Sequence, residues 1–557
     1  MNTQHPRAGL SRRSALALGA AALFAPRGAL ADTPDLLIAG GTIYTGVGEG
    51  RRVEAVATRG DRILFAGSMA EARRAAPDAK QIDLAGASAY PGFVDCHAHV
   101  TDIGLREMTL DLTGTGSIPE LQSRLRAWAK QQPAGPIQGG GWIETHWPEK
   151  RFPTRADIDA VVSDRPVWLS RADGHAGVAN SRAIAVAGIT ASTSNPAGGE
   201  ILRDKSGAPA GLFVDNAMAL VTGAFPLPDK AAKREAIGRA DRLYCSRGWT
   251  GVHSMSVSQE DLDICRAMAA EGVLGLRLDN YMDVDQSAEV LATGPSVDAS
   301  GKVRLRGIKL YADGALGSRG AALLEAYSDK PESKGLLVMP HEKIKDFMQR
   351  AKKVGAQVAV HAIGDRGNQL TLDTITEVLG AARSNRRWRI EHAQILSLDD
   401  LPRFAELGVT ASMQCSHAIG DLYFAPARLG PDRLKGAYAW RSLIESGALV
   451  CGGTDAPVEK GDPLIEFYAA VYRHALNGFA GPDWGLDQVL SRAQALRLYT
   501  ISAATAIGRE SELGTLEAGK RADITVFSKD LMTVEPMEIP KAKAVLTVVA
   551  GQVVFGG

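Results

Sequence analysis

Apolar and polar positions follow two rhythms along this chain. Near both ends they alternate with a period of two, the signature of a half-buried strand. Strands are expected at residues 35–39 and 42–44 around a Gly-Gly turn, at 52–58 and 62–65 around Gly60-Asp61, and at 81–84. The far end repeats the pattern at 522–527 and across 544–554, with Gly551-Gln552 as the turn. The middle is different: short apolar runs recur at 93–99, 250–253, 274–282, 307–312, 357–361, 389–392, 409–413 and 449–452. Such runs read as strands buried on both faces. Helical spacing at 342–353, and less clearly at 370–379, separates some of them. Alternating strand and helix implies a parallel sheet, and eight units imply a (β/α)8 TIM barrel. The fold class expected is α/β: a barrel over residues 91–508, with a small β-sandwich built from both chain ends, 32–90 and 509–557. Two unrelated strand patches are the alternative for the ends.

The stretch between the first two barrel strands, about 101–247, is too long for a simple connection. It holds a helix at 118–131, the segment Gly139-Gly140-Gly141-Trp142, the run Arg171-Ala172-Asp173-Gly174-His175 and a hairpin near Arg203-Asp204-Lys205-Ser206-Gly207. An insertion at a barrel mouth is placed to act as a lid. Trp142 and Trp147 within it read either as substrate-pocket walls or as core.

The first 31 residues read as an address. Ser11-Arg12-Arg13-Ser14 precedes an apolar run at 15–25, and Ala29-Leu30-Ala31 offers a small-residue cleavage site. The paired arginines resemble a twin-arginine signal. That implies transport by the twin-arginine machinery, a mature start at Asp32, and a periplasmic or secreted protein. The run is short for a bilayer span, so no stable membrane insertion is expected after cleavage; an uncleaved anchor is the alternative. Composition removes other classes. Lys+Arg and Asp+Glu both number 63, which leaves no bulk charge to attract nucleic acid. The five cysteines are scattered without a CxxC, which argues against a disulfide framework and a thiolate metal site.

The candidate chemistry sits at the ends of the predicted strands. In Asp95-Cys96-His97-Ala98-His99 the two histidines are two residues apart, so a strand aims both from one face. That arrangement suits a metal ion, although a strand can carry two histidines without one. His361 and His392 each end a predicted strand, Asp455 follows the last, and His253 ends the second. Each alone also fits a structural histidine or a capping aspartate. Lys309 lies inside an apolar strand, where a lysine is costly unless it is paired or chemically changed. A buried structural lysine is the plainer reading.

Taken together, these positions resemble the metal-dependent amidohydrolase superfamily, and within it the YtcJ-like, amidohydrolase-3 branch. The matching stretches are Gly141-Trp142, Pro153-Thr154-Arg155, Arg171 to His175, Lys309 to Ser318, His361-Ala362-Ile363-Gly364-Asp365, Glu391-His392-Ala393, Thr454 to Glu459 and Gly514 to Asp523. They cover essentially all of the mature chain. One departure is Met413-Gln414-Cys415, where such proteins often carry Gln-Pro. The resemblance implies two divalent metal ions, zinc being usual. His97 and His99 would hold one, and His361 and His392 the other. Lys309, carboxylated by carbon dioxide, would bridge them, and Asp455 would bind the first metal and shuttle protons. It further implies that a metal-held hydroxide attacks the carbonyl of a small-molecule amide or formamide, with His175 as an assisting catalytic donor. Trp142, His175, His253 and Asp313 are the candidate pocket residues. Ester, lactone or cyclic-amide hydrolysis by the same residues is the alternative, and a non-catalytic periplasmic binding protein is another. An oligomer is compatible with all of them.

Overall fold

The structure, a computed structural model, describes residues 35–144, 147–171, 176–196, 199–381, 384–481 and 484–557. The signal segment and His175 lie outside the described residues.

Eight parallel strands form the central sheet: β1 (Phe93–Ala98), β2 (Trp249–Val257), β3 (Arg277–Asp283), β4 (Val303–Tyr311), β5 (Gln357–Ala362), β6 (Arg389–His392), β7 (Thr410–Met413) and β8 (Leu449–Gly452). They pair in sequence order from β1 to β8, as the barrel reading requires. The ends shift by a few residues. The β4 strand starts early because Val303-Arg304-Leu305-Arg306 alternates buried and half-buried positions ahead of the apolar run. Helices such as His341–Val354 and Asp365–Leu379 pack outside, and one large apolar core fills the space between them and the strands.

The two ends of the ring are not joined by a strand ladder. They are closed by residues beyond β8: Asp455 N donates to His97 O at 2.6 Å, and His99 N donates to Ala456 O at 2.9 Å. The approach is too close for any residue but glycine at 453, where an added Cβ would lie 2.4 Å from His97 N. Asp95 latches the seam from below. Its buried carboxylate accepts from Thr454 N (2.9 Å), Thr454 Oγ1 (2.6 Å), Tyr244 OH (3.1 Å) and His97 N (3.1 Å). Burial still pushes this acid up to about 6.

The chain ends meet in one mixed eight-stranded sheet. Ile524–Phe527 from the C-terminal part pairs Ser88–Pro91 from the N-terminal part. The expected sandwich is therefore a single hydrogen-bonded array that encloses its own apolar cluster, including Ile38, Val56, Ile524 and Val548. The first two expected strands are one, Leu36–Tyr44, with an irregularity between Ala39 and Ile43 in place of a Gly-Gly turn.

The insertion is smaller than expected and better built. The helices Val100–Glu107 and Lys230–Arg247, inside the expected 101–247 span, pack against each other, so closely that a Cβ on Gly104 would meet Ala236 O at 1.8 Å. Ile237, Ala240 and Tyr244 of the second helix belong to the barrel core. The inserted residues between them form a six-stranded sheet with its own core, so they are a packed unit and not a loop. The helix Ile118–Gln131 and the hairpin around 203–209 appear where expected.

Asp95→Ala removes an acceptor of four hydrogen bonds at the only unladdered seam of the described barrel. Urea unfolding of this variant is expected to show a loss of about 3 kcal/mol; an unchanged midpoint would mean the seam does not depend on Asp95.

Candidate metal centre

Strand parity and two local breaks in strand geometry gather the predicted residues at the C-terminal mouth of the barrel. His97 points inward near the end of β1, and His99 follows one residue past it. Lys309 lies near the end of β4 and His361 near the end of β5. His392 is the last residue of β6 and has φ +74°, while Asp455, beyond β8, has φ +58°. Non-glycine residues in that region are uncommon and cluster at functional sites. At His392 the break has a clear effect: Glu391 and Arg389 share the interior face, and their neighbour His392 also turns over the mouth, where regular strand geometry would send it to the opposite side.

The distances define the centre. His97 Nε2 and His99 Nε2 each lie 3.3 Å from Asp455 Oδ1. Lys309 Nζ stands 3.4 Å from His97 Nε2. The His97 and His392 rings are 4.8 Å apart, and those of His361 and His392 are 4.6 Å apart. Among the described residues, two groups of three have donor atoms mutually within 4.8 Å: His97, His99, Asp455, and His392, His417, Asp455.

Burial sets the protonation. It lowers His97 and His392, and takes His361 down to about 3, so these imidazoles are neutral and present lone pairs. Burial also lowers the Lys309 amine to about 8. It would raise Asp455, but the His97 and His99 imidazoles beside its Oδ1 hold that carboxylate well below its ordinary value.

A charged layer lies directly beneath. Glu391 Oε2 accepts from His97 Nδ1 at 2.6 Å, which leaves Nε2 of His97 as the atom facing the centre. Arg389 forks onto the same carboxylate, and its Nη2 also donates to Cys96 O at 2.6 Å and to Ser412 Oγ. Burial would raise Glu391, yet Arg389 outweighs it and keeps the acid ionised. On the other side, Gln414 Oε1 accepts from His392 Nδ1 at 2.8 Å. Gln414, the part of Met413-Gln414-Cys415 that keeps the Gln of Gln-Pro, is thus an orienting residue, and at the departure itself Cys415 N donates to Glu466 Oε2 at 3.0 Å, a bond proline could not make.

Not every expected residue is equally placed. The His361 ring stands 4.6 Å from that of His392, while its Nε2 lies 3.5 Å from Gly314 O and 3.7 Å from Asp313 Oδ1 and is in neither group of three. Asp313 is buried and staples loops by accepting from Ile363 N, Gly364 N and Ala322 N; burial pushes it up to about 7. His253 is not on a pocket wall. It is fully buried in the layer below, with Nδ1 3.0 Å from Arg389 Nη1. Trp142 is fully buried in the core of the inserted unit, where its Nε1 donates to Leu169 O at 2.9 Å. The reading from sequence missed His417, Arg389, Gln414 and the role of Glu391. The available signal for His417 was its place just after a predicted strand.

These donors fit a metal. Three side chains offer one atom each around one point, burial keeps His97 and His392 neutral, and these two are each oriented through the other ring nitrogen.

Comparisons with known proteins agree with this chemistry. The profile described as the amidohydrolase family matches residues 80–555. YtcJ of Bacillus subtilis is 33% identical over 528 residues, 93% of this chain and 98% of that one. N-substituted formamide deformylase of Arthrobacter pascens is 29% identical over 534 residues, covering 93% and 97%. Among solved structures, an uncharacterized metal-dependent hydrolase from Pyrococcus furiosus superposes with a TM-score of 0.74 at 30% identity, over 90% of this chain and 100% of that one.

Glu391→Gln keeps the shape but removes the charge that orients His97. Competition with a coloured chelator is expected to show metal affinity falling about 10- to 100-fold; unchanged affinity would separate Glu391 from the centre.

Proposed function

The chain belongs to the amidohydrolase family, and from that premise we propose that it is a metal-dependent hydrolase of a carbon–nitrogen bond other than a peptide bond. The observation that carries this reading is the pair of imidazoles, His97 and His99, each 3.3 Å from one oxygen of Asp455. His97, His99 and Asp455 would hold one divalent ion, and His361 and His392 a second, with zinc the metal we favour. Such an ion supplies Lewis acidity and brings the pKa of its water to near 7.

The protein's own groups divide the remaining work. Asp455 is ionised at neutral pH, so it accepts the proton of the attacking water and returns it to the leaving nitrogen. Lys309, lowered to about 8 by burial, has a substantial neutral fraction near neutral pH where a free lysine has almost none. The neutral amine would add carbon dioxide, forming a nitrogen–carbon bond and releasing a proton, and the resulting carbamate would offer its oxygens as metal ligands. The layer of Glu391 and Arg389 holds His97 in one tautomer throughout.

The substrate class proposed is an amide or formamide with a hydrophobic substituent. The alignment with N-substituted formamide deformylase over most of both chains supports the bond type. A groove of about 330 Å³ beside the helix that carries His417 supports the substituent; Ile419, Tyr423, Ile465 and Leu476 line it, with Glu459 and Lys460 at one side. The twin-arginine-type signal would deliver the enzyme to the periplasm or beyond the cell.

Metal-loaded protein without its signal is to be offered N-formyl, N-acyl and cyclic amides with matched esters. Release of amine from hydrophobic formamides or amides, reduced at least 1,000-fold in Asp455→Asn, is the expected outcome. Turnover of esters or lactones alone would replace the bond assignment, and near-normal kcat in Asp455→Asn would remove the proton shuttle.

A further inference from the structure

We propose that the floor of the barrel, at the end opposite the metal centre, binds a small monovalent inorganic anion such as chloride through Arg304, Arg306 and Arg509. The site is independent of the reaction proposed above.

Strand parity assembles it. On β4, Val303 and Leu305 join the outer apolar core, so Arg304 and Arg306 turn to the barrel interior. Arg304 is in register with Asp279 of β3, and Asp279 with His253 of β2, so three polar side chains form one row across neighbouring strands. Arg306 Nη2 donates to Gln357 Oε1 at 3.3 Å, at the start of β5, and to Ile507 O at 2.6 Å. The second bond holds the chain beyond the helix Ile501–Ala506 under the strands, and Arg509 follows two residues later.

The charges here do not balance. Arg277, Arg304, Arg306 and Arg509 meet Asp279, Glu512 and Asp523. Arg277 forks onto Asp523 at 2.7 and 3.0 Å, and Arg509 Nη2 donates to Glu512 Oε2 at 3.0 Å. Asp279 remains for two cations. Its Oδ1 lies 3.9 Å from Arg306 Nε, beyond hydrogen-bond reach, and the Arg304 guanidinium makes no hydrogen bond or ion pair with any described residue. Burial, and after it Arg509, lowers Arg304 below the ordinary guanidinium range, as expected of a cation short of a counter-ion.

The unpaired atoms are mostly donors. Among the described residues, buried Nε of Arg304, Nε of Arg306, and Nε and Nη1 of Arg509 have no hydrogen-bond partner, and Arg509 is only 3% exposed. Guanidinium nitrogens donate and never accept. His253 adds another donor: Arg389 Nη1 donates to its Nδ1, which leaves the proton of this neutral imidazole on the unpartnered Nε2. Against them stands one unpartnered carboxylate oxygen, Asp279 Oδ1. Water would satisfy the donors without offsetting the charge. A monovalent anion does both, and the Asp279 carboxylate in the same row disfavours phosphate or sulfate.

The test uses the metal-loaded mature chain. Its melting midpoint is to be followed as chloride replaces gluconate at constant ionic strength, and bromide-soaked crystals are to be measured at the bromine edge. Wild type is expected to melt higher as chloride rises, and to show a bromide peak between Arg304, Arg306 and Arg509. Arg304→Gln should need at least tenfold more chloride for half of that rise. Arg509→Gln carries the same expectation and serves if the first variant fails to fold. A wild-type midpoint indifferent to chloride, a floor without a bromide peak, or an unchanged chloride response in the folded variants would overturn the site.

Discussion

One buried carboxylate governs the geometry of the barrel mouth. Glu391 lies fully inside the barrel between the guanidinium of Arg389 and the imidazole of His97. Neither ion would be tolerated alone there, because an unpaired buried charge costs several kcal/mol. Together they satisfy each other and the groups around them: Cys96 O, Ser412 Oγ and His253. The fold gains little net stability from such a pair. What it gains is orientation, since a carboxylate on Nδ1 fixes the tautomer and direction of His97, and His97 in turn places Asp455 and faces Lys309.

The seam of the ring meets the same residues. His97 O and His99 N are the groups that close β1 onto the segment after β8, so closing the barrel and assembling the centre are one event. Asp455 reaches the centre because its backbone enters a sparsely populated conformation straight after Gly453, whose missing side chain admits His97. The three-residue stretch from Gly453 to Asp455 carries both the structural and the chemical constraint.

Much of this was legible in the chain. The eight apolar runs and the paired histidines gave the barrel and one face of the centre through period-two parity alone. Lys309 stood out because a lysine in an apolar strand needs a reason. Glu391 and His392 were harder, because neighbours on a regular strand point to opposite faces, and only the positive φ at His392 lets both matter. His417 depends on a short helix turning back over the mouth, which no periodicity in seven residues announces. Trp142 and His253 were drawn toward a pocket by their places in the insertion and at a strand end, whereas both are buried in a core: Trp142 Nε1 donates to Leu169 O, and His253 Nδ1 lies against Arg389. The extent of the insertion was misjudged because the polar helix Lys230–Arg247 reads as surface until its Ile237, Ala240 and Tyr244 are seen against the strands.

The most direct measurement is anomalous diffraction at the zinc edge from crystals of the metal-loaded protein. The account predicts a peak within bonding distance of His97, His99 and Asp455. Fully loaded protein with its only peaks elsewhere, or with those three side chains bound to nothing, would contradict it.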